Sequence, residues 1–492
     1  MDYNVLKSGT DIRGVASPLG GKEVNLTDEA VYDISAAFVV WYVNKYQKSP
    51  SELVFAVGHD SRITGENIAE RVKQAFINAG VTVLDCGLSS TPAMFMTTVD
   101  LKTDASVEIT ASHHPFDRNG LKFFTPEGGL DSSDLAEIVA LANNGEEIIC
   151  NCAGVVIEVN YMSVYAARLR RMICEAVGKN ETDKPLEGYK IVVDAGNGVG
   201  GFYAHEVLEK LGADIKGSRF LEPDGMFPNH IPNPENKEAM ESICAAVRES
   251  GADLGLIFDT DVDRAGCVGS DGEEINRNRL IALSAYIAAG GRKGAVIVTD
   301  SVTSDGLKEF IEKELDGVHY RYRRGYKNVI NKAIELTNEG KDCPLAIETS
   351  GHAALKENYF LDDGAYLVTK IVIELAKGTD INTLLKPLKM PVEEKEIRFN
   401  IKAEDFKTYG LNVIKELEEY ASKVEGYKIA DDNREGIRVS TENGWFLLRL
   451  SVHDPVMPMN FESNIAGGIE KDIDALREFF SKFSELDISA LN

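Results

Sequence analysis

Residues 53–87 read LVFAVGHDSRITGENIAERVKQAFINAGVTVLDCG, and this stretch decides the fold. The apolar run LVFAVGHD (53–60) ends in turn residues, as a buried strand does, and GENIAERVKQAFINAG (65–80) follows with apolar residues at helical spacing. A second apolar run, VTVLDCG (81–87), predicts another strand. Strand, helix and strand in this order predict a βαβ unit, and therefore an α/β fold.

The same order of elements returns twice along the chain, as YKIVVDAGNGVG, FYAHEVLEKLG and ADIKGS from residue 189 and as GAVIVTDS, TSDGLKEFIEKEL and GVHYRYR from residue 294. After about residue 390 the pattern changes to a charged helix, two strands around an Asn443-Gly444 turn and a closing helix. The sequence therefore predicts three related mixed-sheet α/β domains and a smaller C-terminal α+β domain. The predicted bounds are 1–160, 161–275, 276–390 and 391–492.

Charge and composition exclude several classes of partner. Asp and Glu number 79 against 53 Lys and Arg, and the net charge of −26 repels nucleic-acid phosphates and anionic membranes. No window approaches the roughly 18 apolar residues of a membrane span, and the N-terminus MDYNVLKSGTDIRG has no apolar signal core. The seven scattered cysteines predict free thiols in a reducing cytoplasm. We expect a cytoplasmic protein with small-molecule partners and without zinc. The sequence does not indicate an oligomeric state.

Two loops follow strand-like runs and carry reactive side chains. In VEITASHHPFDRNGLKFF (107–124), Ser112 lies on a tight loop, although a serine in a turn beside surface histidines is the simpler interpretation of that loop alone. In LGLIFDTDVDRAG (254–266), an extended backbone would turn Asp259, Asp261 and Asp263 to one side. Carboxylates this close repel one another without a cation, so the triplet predicts a Mg²⁺ site. Arg264 follows directly and could bind a phosphate.

A third loop, AIETSGHAALKENYFLDDG (346–364), places Glu348, Ser350 and His352 where they could bind neighbouring sugar hydroxyls. An equally good interpretation is a helix N-terminus, with Thr349 or Ser350 as the capping residue. The spacing alone leaves both open.

A fourth loop, FLLRLSVHDP (446–455), offers Arg449, Ser451 and His453 as a phosphate clamp, although an arginine on a strand is more often a solvated edge residue. Two basic stretches elsewhere, TDIRG with Arg13 and YRYRRGYKNVI with Lys327, could offset the charge of an anionic substrate or belong to plain surface.

Together the four loops resemble the α-D-phosphohexomutase family, which includes phosphomannomutase/phosphoglucomutase, over nearly the whole chain. The family's TASHNP stands here as TASHHP (110–115), and its metal loop DGDADR as DTDVDR (259–264). Its sugar loop GEMSGH appears as IETSGH (347–352), and its PDGxFPNHxPNP stretch as PDGMFPNHIPNP (223–234). The last match is long and specific.

The resemblance implies four domains around a central cleft and a mutase that interconverts hexose 1-phosphate and hexose 6-phosphate, with glucose and/or mannose as the sugar. Phosphorylated Ser112 would donate its phosphoryl group and regain one through a hexose 1,6-bisphosphate. The implied metal ligands for Mg²⁺ are Asp259, Asp261, Asp263 and Ser112. The implied catalytic residues are Ser112, Lys122, His352, Arg13 and Arg264, with Lys122 and His352 as acid and base. The implied substrate-binding residues are Glu348, Ser350, Lys327, Arg449, Ser451 and His453.

The chain departs from the family pattern in its phosphate loop, where RPSGTEP is RLSVHDP (449–455). His114 also replaces an Asn, Thr260 a Gly and Thr349 a Met. Three alternatives remain: a phosphoglucosamine mutase, a phosphatase with Asp259 as nucleophile, because DTDVD fits the D-x-D-x-[TV] pattern, and a catalytically idle sugar-phosphate binding protein. The phosphatase would leave the Ser112 loop without a role.

Overall fold

The computed structural model describes residues 2–151, 153–451 and 454–491. The chain forms two compact units. Unit 1 comprises residues 1–280 and 350–383, and unit 2 comprises residues 281–349 and 384–492.

Unit 1 begins with an eight-stranded mixed sheet in the order β1-β2-β6-β5-β3-β4-β8, with β7 paired to β6. Its strands are β1 (Lys7–Ser8), β2 (Asp11–Val15), β3 (Val54–His59), β4 (Thr82–Leu88), β5 (Ala105–Ile109), β6 (Arg118–Thr125), β7 (Gly128–Gly129) and β8 (Val156–Glu158). Strand β3 is parallel to β4 and β5, whereas β6 is antiparallel to β5. The βαβ unit predicted from residues 53–87 is confirmed.

The second sheet of unit 1 has four strands in the order β12-β11-β10-β9, of which β9 and β10 are parallel. These are β9 (Ile191–Asp194), β10 (Leu254–Phe258), β11 (Ala265–Gly269) and β12 (Glu274–Ile275). The strand predicted at ADIKGS (213–218) is wrong. Asp214 forms only an isolated bridge to Lys190, because the chain turns where Ser218 N donates to Ile215 O. The helix predicted before it is a π-helix (Tyr203–Leu208) that continues as a 3₁₀ turn (Glu209–Leu211).

Unit 2 contains three parallel strands with β13 in the centre, namely β13 (Val296–Asp300), β14 (Val318–Tyr322) and β15 (Leu345–Ile347). The predicted helix between β13 and β14 is short (Asp305–Glu309) and continues as a π-helix (Phe310–Glu314). The antiparallel pair β16 (Ala353–Leu355) and β17 (Leu361–Asp362) belongs to unit 1.

The C-terminal part of unit 2 is an antiparallel six-stranded sheet in the order β19-β20-β21-β22-β18-β23. Its strands are β18 (Glu393–Ile401), β19 (Lys428–Ile429), β20 (Ile437–Ser440), β21 (Gly444–Leu448), β22 (Val456–Ser463) and β23 (Leu486–Asp487). The predicted hairpin at Asn443-Gly444 is confirmed, since β20 pairs with β21. Helices α12 (Phe406–Ala421) and α13 (Gly468–Ser481) pack on this sheet around one apolar core, as an α+β fold requires.

The remaining α-helices connect the strands and cover the sheets. They are α1 (Asp28–Tyr46), α2 (Gly65–Asn78), α3 (Thr91–Asp100), α4 (Ser132–Asn143), α5 (Tyr161–Ala176), α6 (Lys237–Ser250), α7 (Arg277–Ala289), α8 (Asp305–Glu309), α9 (Tyr326–Asn338), α10 (Gly364–Ala376) and α11 (Ile381–Leu385). Within the described residues, none of the helices combines the length and apolar character that crossing a membrane requires.

The loops identified from the sequence follow the carboxyl ends of strands with a parallel neighbour. The Ser112 loop follows β5, the aspartate loop follows β10, and Glu348 follows β15. Ligands of parallel sheets bind at this edge, so the topology places the reactive side chains where a site is expected.

Candidate active site

Ser112 lies on a strained loop directly after β5 and is almost fully buried. Its φ of 50° is in the left-handed region, which costs a residue with a Cβ about 1–2 kcal/mol. The Ser112 backbone N–H donates to Thr110 Oγ1 at 2.8 Å, which holds the turn. The hydroxyl donates to Asp259 Oδ2 at 3.1 Å and accepts from Arg264 Nη2 at 2.8 Å. The loop therefore presents one oxygen to an acid and an arginine.

The Arg62 side chain holds this loop in place. Its guanidinium, which is buried, donates to the backbone carbonyls of His114 at 2.6 Å, Pro115 at 2.7 Å and Arg118 at 3.0 Å. It also donates to the carbonyl of Ser112. Asp60, at the end of β3, accepts from Arg62 Nε at 3.2 Å and neutralises the buried cation. The conformation of Ser112 thus depends on a cation that contacts only its backbone.

The aspartate loop is a tight turn, not a continuation of a strand. Strand β10 ends at Phe258 and β11 begins at Ala265, so the prediction that an extended backbone aligns the acids is wrong. Val262 adopts a φ of 65°, which reverses the chain. The turn nevertheless brings one carboxylate oxygen from each of the three acids within 4.8 Å of the others. These acids are Asp259, Asp261 and Asp263.

Basic side chains bind this acid cluster closely. Arg264 Nε donates to Asp259 Oδ2 at 3.0 Å. Lys122 Nζ, from β6, donates to Asp261 at 3.0 Å and to Asp263 at 2.5 Å. Five charged groups are therefore packed at hydrogen-bond distance in a site that excludes water, where their interactions are strong.

The three acids are not electrostatically equivalent. Burial, reinforced by Asp263 and Asp261, raises the pKa of Asp259 well above its usual range. Burial opposes ionisation of Asp263 as well, but Lys122, with help from His352 and Arg264, lowers the pKa of Asp263 below its usual range. Asp263 therefore ionises readily, whereas at Asp259 the neighbouring cation of Arg264 only partly offsets the effect of burial and of the other acids.

Histidines near Ser112 are held neutral. Burial and Arg264 lower the pKa of His113 to about 2, and burial and Arg13 lower the pKa of His114 to about 4. Arg13 donates to Asp11 Oδ2 at 2.8 Å and lies close enough to lower the pKa of His113 as well. The predicted cation Arg13 is thus in the electrostatic neighbourhood of the serine loop.

The sugar loop is not a helix N-terminus, because the chain enters strand β16 at Ala353, and the capping interpretation is wrong. Ser350 and His352 belong to unit 1, where Ser350 Oγ lies 2.9 Å from His352 Nδ1. His352 Nε2 lies 3.8 Å from Asp263 Oδ1 and 3.5 Å from Asp362 Oδ2. His352 therefore joins the acid cluster, while its neighbour in sequence, Glu348, belongs to unit 2.

The other predicted substrate-binding residues belong to unit 2. Glu348 Oε1 accepts from the backbone N–H of Gly325 at 2.6 Å. Arg449 follows the end of β21, with Nη2 3.8 Å from Glu396 Oε2. Ser451 Oγ accepts from Asp454 N at 3.3 Å, and Lys327 lies in the first turn of α9. His453 lies outside the described residues.

Family models cover most of the chain. The three α/β/α domains I, II and III of phosphoglucomutase/phosphomannomutase match residues 6–148, 165–272 and 276–390. The phosphomannomutase/phosphoglucomutase of Pseudomonas putida is 30% identical over 95% of this chain and 93% of its own. The chain belongs to the phosphoglucomutase/phosphomannomutase family.

Further relatives agree with this membership. The phosphoglucomutase of Neisseria gonorrhoeae is 29% identical over 94% of this chain and 93% of its own. The crystal structure of a phosphoglucomutase/phosphomannomutase family protein from Burkholderia thailandensis superimposes with a TM-score of 0.80 at 26% identity, covering 98% of both chains. The predicted family and α/β architecture are confirmed, and with them the activity class: the chain is a phosphohexomutase, an isomerase that transfers a phosphoryl group within a hexose phosphate.

The acid cluster of this phosphohexomutase can hold a metal ion. Among the described residues, Asp261 Oδ1, Asp263 Oδ1 and Thr260 Oγ1 are buried without a hydrogen-bond partner. Buried carboxylate oxygens that lack partners are costly, and hard oxygen ligands suit a divalent cation. The donor set therefore fits a metal.

The sequence analysis missed several residues of the site. Thr91 Oγ1 donates to Asp261 Oδ2 at 2.5 Å, and Asp362 lies beside His352. Arg62 could have been found from its position, because it follows the carboxyl end of the parallel strand β3 by only three residues. Thr91 carries the same signal, because it follows the carboxyl end of the parallel strand β4 by three residues, whereas Asp362 ends the antiparallel strand β17 and carries no such signal.

Proposed function

We propose that this phosphohexomutase interconverts the 1- and 6-phosphates of glucose and/or mannose through a phosphorylated Ser112. The observation that carries the proposal is the position of the Ser112 hydroxyl, 3.1 Å from Asp259 and 2.8 Å from Arg264. The choice of sugars is supported by the printed names of the relatives from Pseudomonas putida and Neisseria gonorrhoeae.

In the first transfer, the P–O bond to Ser112 Oγ breaks and the free hydroxyl oxygen of a hexose monophosphate bonds to phosphorus. The hydroxyl proton passes to a basic side chain, and His352 would accept it, because Lys122 is already a cation paired with Asp261 and Asp263 and would serve as the acid. Burial, reinforced by Arg264 and opposed by Asp263, lowers the pKa of His352, so its ring is neutral at pH 7. The product is a hexose 1,6-bisphosphate, which also acts as the activator that phosphorylates Ser112.

In the second transfer, the other phosphoryl group of the bisphosphate moves to Ser112, and the proton returns to the sugar oxygen that leaves. Arg264, and Arg13 with it, would stabilise the charge on the transferring phosphoryl group. The enzyme recovers its phosphoserine, and the hexose leaves with its phosphate on the other carbon.

Asp259, Asp261, Asp263 and phosphorylated Ser112 would hold Mg²⁺, which when bound neutralises charge that develops during phosphoryl transfer. Asp261 Oδ1 and Asp263 Oδ1, which are buried without hydrogen-bond partners among the described residues, support this assignment, because a divalent cation would supply the partner they lack. Glu348 and Ser350 would bind sugar hydroxyls, while Lys327, Arg449, Ser451 and His453 would bind the phosphate that is not transferred.

The compartment and partners follow from the same chemistry. We propose a cytoplasmic enzyme whose partners are small sugar phosphates, with neither nucleic acid nor membrane among them. The six cysteines that the structure describes are free thiols, which suits a reducing compartment.

Incubation with glucose 1,6-bisphosphate and Mg²⁺ tests the phosphoserine. We expect a phosphoryl group on the tryptic peptide that contains Ser112 (residues 103–118), detected by mass spectrometry, and none on that peptide in Ser112→Ala. A label on the peptide that contains Asp259 (residues 249–264) instead would contradict the proposal in favour of the phosphatase.

The sugar is tested by a coupled assay run in parallel on glucose 1-phosphate, mannose 1-phosphate and glucosamine 1-phosphate. We expect the highest kcat/KM for glucose or mannose. A preference for glucosamine 1-phosphate would replace the proposed substrate and leave the phosphoserine route intact.

A further inference from the structure

The segment PDGMFPNHIPNP (residues 223–234) is the longest of the four matches to the family pattern, and the proposed function gives it no role. It belongs to unit 1 and precedes helix α6. At separate points it contacts the two arginines that hold the Ser112 loop. One is Arg62, which donates to the backbone carbonyls of that loop, and the other is Arg264, which donates to the Ser112 hydroxyl.

Phe227 packs on the first of these arginines. The guanidinium carbon of Arg62 lies 5.2 Å from the centroid of the Phe227 ring, within the range of a cation–π contact. The segment comes this close because Gly225 packs against the chain beside Arg62, where a Cβ would lie 2.4 Å from Ile63 N. Phe227 itself adopts a φ of 49°, a strained conformation for a residue with a Cβ. Phe227 therefore restrains an arginine whose nitrogens donate to the Ser112 loop.

Asn233 contacts the second arginine. Its Oδ1 accepts from Arg264 Nη1 at 3.4 Å and from the backbone N–H of Glu235 at 3.0 Å. The carboxylate of Glu235 lies 3.9 Å from the same Arg264 nitrogen. The other nitrogens of Arg264 have different partners, since Nη2 donates to Ser112 Oγ and Nε donates to Asp259 Oδ2. Asn233 therefore orients Arg264 through Nη1 and leaves Nη2 in contact with the nucleophile.

His230 anchors the segment midway between these two contacts, three residues from each. Its Nε2 lies 3.0 Å from Asp194 Oδ1, and its Nδ1 lies 3.0 Å from Ile231 O. Asp194 ends strand β9, is fully buried, and also accepts from Gly196 N at 3.0 Å and from Ser242 Oγ at 2.6 Å. Burial opposes the charged form of His230, but Asp194 and the Ile231 carbonyl outweigh burial and raise the pKa of His230. The pair therefore ties the segment to the second sheet of unit 1.

Close packing holds the part of the segment around His230. Gly196 has a φ of 52°, and a Cβ there would lie 2.8 Å from Pro232 Cβ and 3.1 Å from His230 Cε1. The Phe220 ring meets the His230 ring edge-on at a centroid distance of 5.4 Å. The segment is thus fixed in the protein without a ligand, as a group that preorganises a reactive site must be.

We propose that the 223–234 segment positions the nucleophile Ser112 for phosphoryl transfer. Phe227 and Asn233 restrain the two arginines that hold the Ser112 loop, and His230 fixes the spacing between these two contacts. The inference rests on the proposed function, because it concerns the phosphorylation of Ser112. The three side chains are positioning residues that act through the arginines, and a nucleophile misplaced by about 1 Å can lose about 100-fold in rate.

The test follows the rate at which glucose 1,6-bisphosphate and Mg²⁺ phosphorylate the peptide that contains Ser112, measured by mass spectrometry. We expect Phe227→Leu, Asn233→Ala and His230→Gln each to lower this rate about 10-fold. KM for the hexose 1-phosphate should stay within about 2-fold, because these residues act on the nucleophile and not on the sugar. Asn233→Asp keeps an acceptor oxygen at this position and should recover most of the loss. The matched control is His205→Gln, which removes an exposed histidine that also lies beside an acid.

A double-mutant cycle separates positioning from a general loss of structure. If Phe227 acts through Arg62, then Phe227→Leu should lower the rate little further in a chain that already carries Arg62→Lys. Thermal unfolding of each variant shows which chains are folded, and Phe227→Leu and Asn233→Ala decide the matter should His230→Gln fail to fold.

The inference would be overturned by a wild-type rate in Phe227→Leu and Asn233→Ala, by an equal loss in His205→Gln, or by losses that multiply in the double-mutant cycle. In each of these cases the phosphoserine still forms in the wild-type enzyme, so the mutase proposal stands. If the wild-type enzyme forms no phosphoserine, the mutase proposal fails and this inference fails with it.

Discussion

The acid cluster of unit 1 and the arginine pair of unit 2 (Arg324 and Arg449) differ in how closely their charged groups approach ions of opposite charge. In unit 1, Lys122 contacts Asp263 at 2.5 Å and Arg264 contacts Asp259 at 3.0 Å, so acids and bases are already joined. In unit 2, Arg449 and Arg324 lie 3.8 and 4.0 Å from the carboxylate of Glu396. A site for phosphoryl transfer benefits from dipoles and charges that are fixed before the reaction, as those of the acid cluster are.

The largest effect should come from removing one acid of the cluster. Asp261→Asn deletes a charge that Lys122 contacts and that a bound metal would share, so we expect turnover to fall about 1000-fold or more, the scale of several kcal/mol of lost stabilisation. Binding of Mn²⁺, followed by electron paramagnetic resonance, should weaken in parallel, and chelation of the wild-type enzyme should reproduce the loss of turnover. Phosphate affinity at Arg449 should stay unchanged.

The control for this change is Asp271→Asn, which removes an exposed carboxylate from the turn after β11. If Asp271→Asn lowered Mn²⁺ affinity as much as Asp261→Asn does, the loss of affinity would be caused by the change in net charge of the protein. The acid cluster would then not be a specific metal site.

A smaller effect is expected at the support of the serine loop. Arg62→Lys keeps a positive charge beside Asp60 but removes the guanidinium group that donates hydrogen bonds to four backbone carbonyls. We expect the rate of Ser112 phosphorylation to fall about 10- to 100-fold with KM nearly constant, because Arg62 positions the nucleophile without touching substrate. Arg71→Lys, on the exposed face of α2, is the matched control. A wild-type rate in Arg62→Lys would show that the loop holds its conformation unaided.

Much of this architecture could be predicted from the sequence because it depends on local patterns. The apolar runs that became β3, β10 and β13 alternate with helical spacing, and the loops after them carry recognisable motifs. The failures were also local: the run at 213–218 has a strand-like composition, yet it contains a turn at Ile215 to Ser218. The pattern of apolar residues alone does not indicate such a reversal of the chain direction.

The contacts that support the site could not be predicted from the sequence, even where a residue's position marked it as a candidate, because they join distant segments. Arg62 reaches the Ser112 carbonyl across 50 residues, and Thr91 reaches Asp261 across 170. The acids of residues 259–263 converge through a turn with Val262 at positive φ, a geometry that the motif letters do not specify. The sequence identifies reactive groups, whereas tertiary structure decides what restrains them.

The smallest effect on turnover should come from Glu108, a buried acid of unit 1 that forms no ion pair with the residues the structure describes. It pairs in register with Lys122 across β5 and β6, and neither of its carboxylate oxygens has a hydrogen-bond partner among the described residues. Burial, reinforced by Asp60 and Asp261, raises the pKa of Glu108 well above its usual range. The folded protein therefore keeps this proton at pH values where the unfolded chain, with a pKa of about 4.3, has released it.

Because the folded-state pKa of Glu108 is raised, the side chain destabilises the fold increasingly as pH rises above about 4.3, by up to about 1.4 kcal/mol per pH unit until the folded-state pKa is reached. Glu108→Gln has no proton to lose and should escape that cost. In chelator, we expect the variant and the wild type to unfold at similar temperatures near pH 4.5, and the variant's unfolding temperature to exceed that of the wild type increasingly as pH rises, until the folded-state pKa of Glu108 is reached. Glu66→Gln, exposed on α2, should show no such trend. A difference in unfolding temperature between Glu108→Gln and the wild type that does not change with pH would mean that Glu108 is ionised in the folded protein, and that unit 1 tolerates this buried charge.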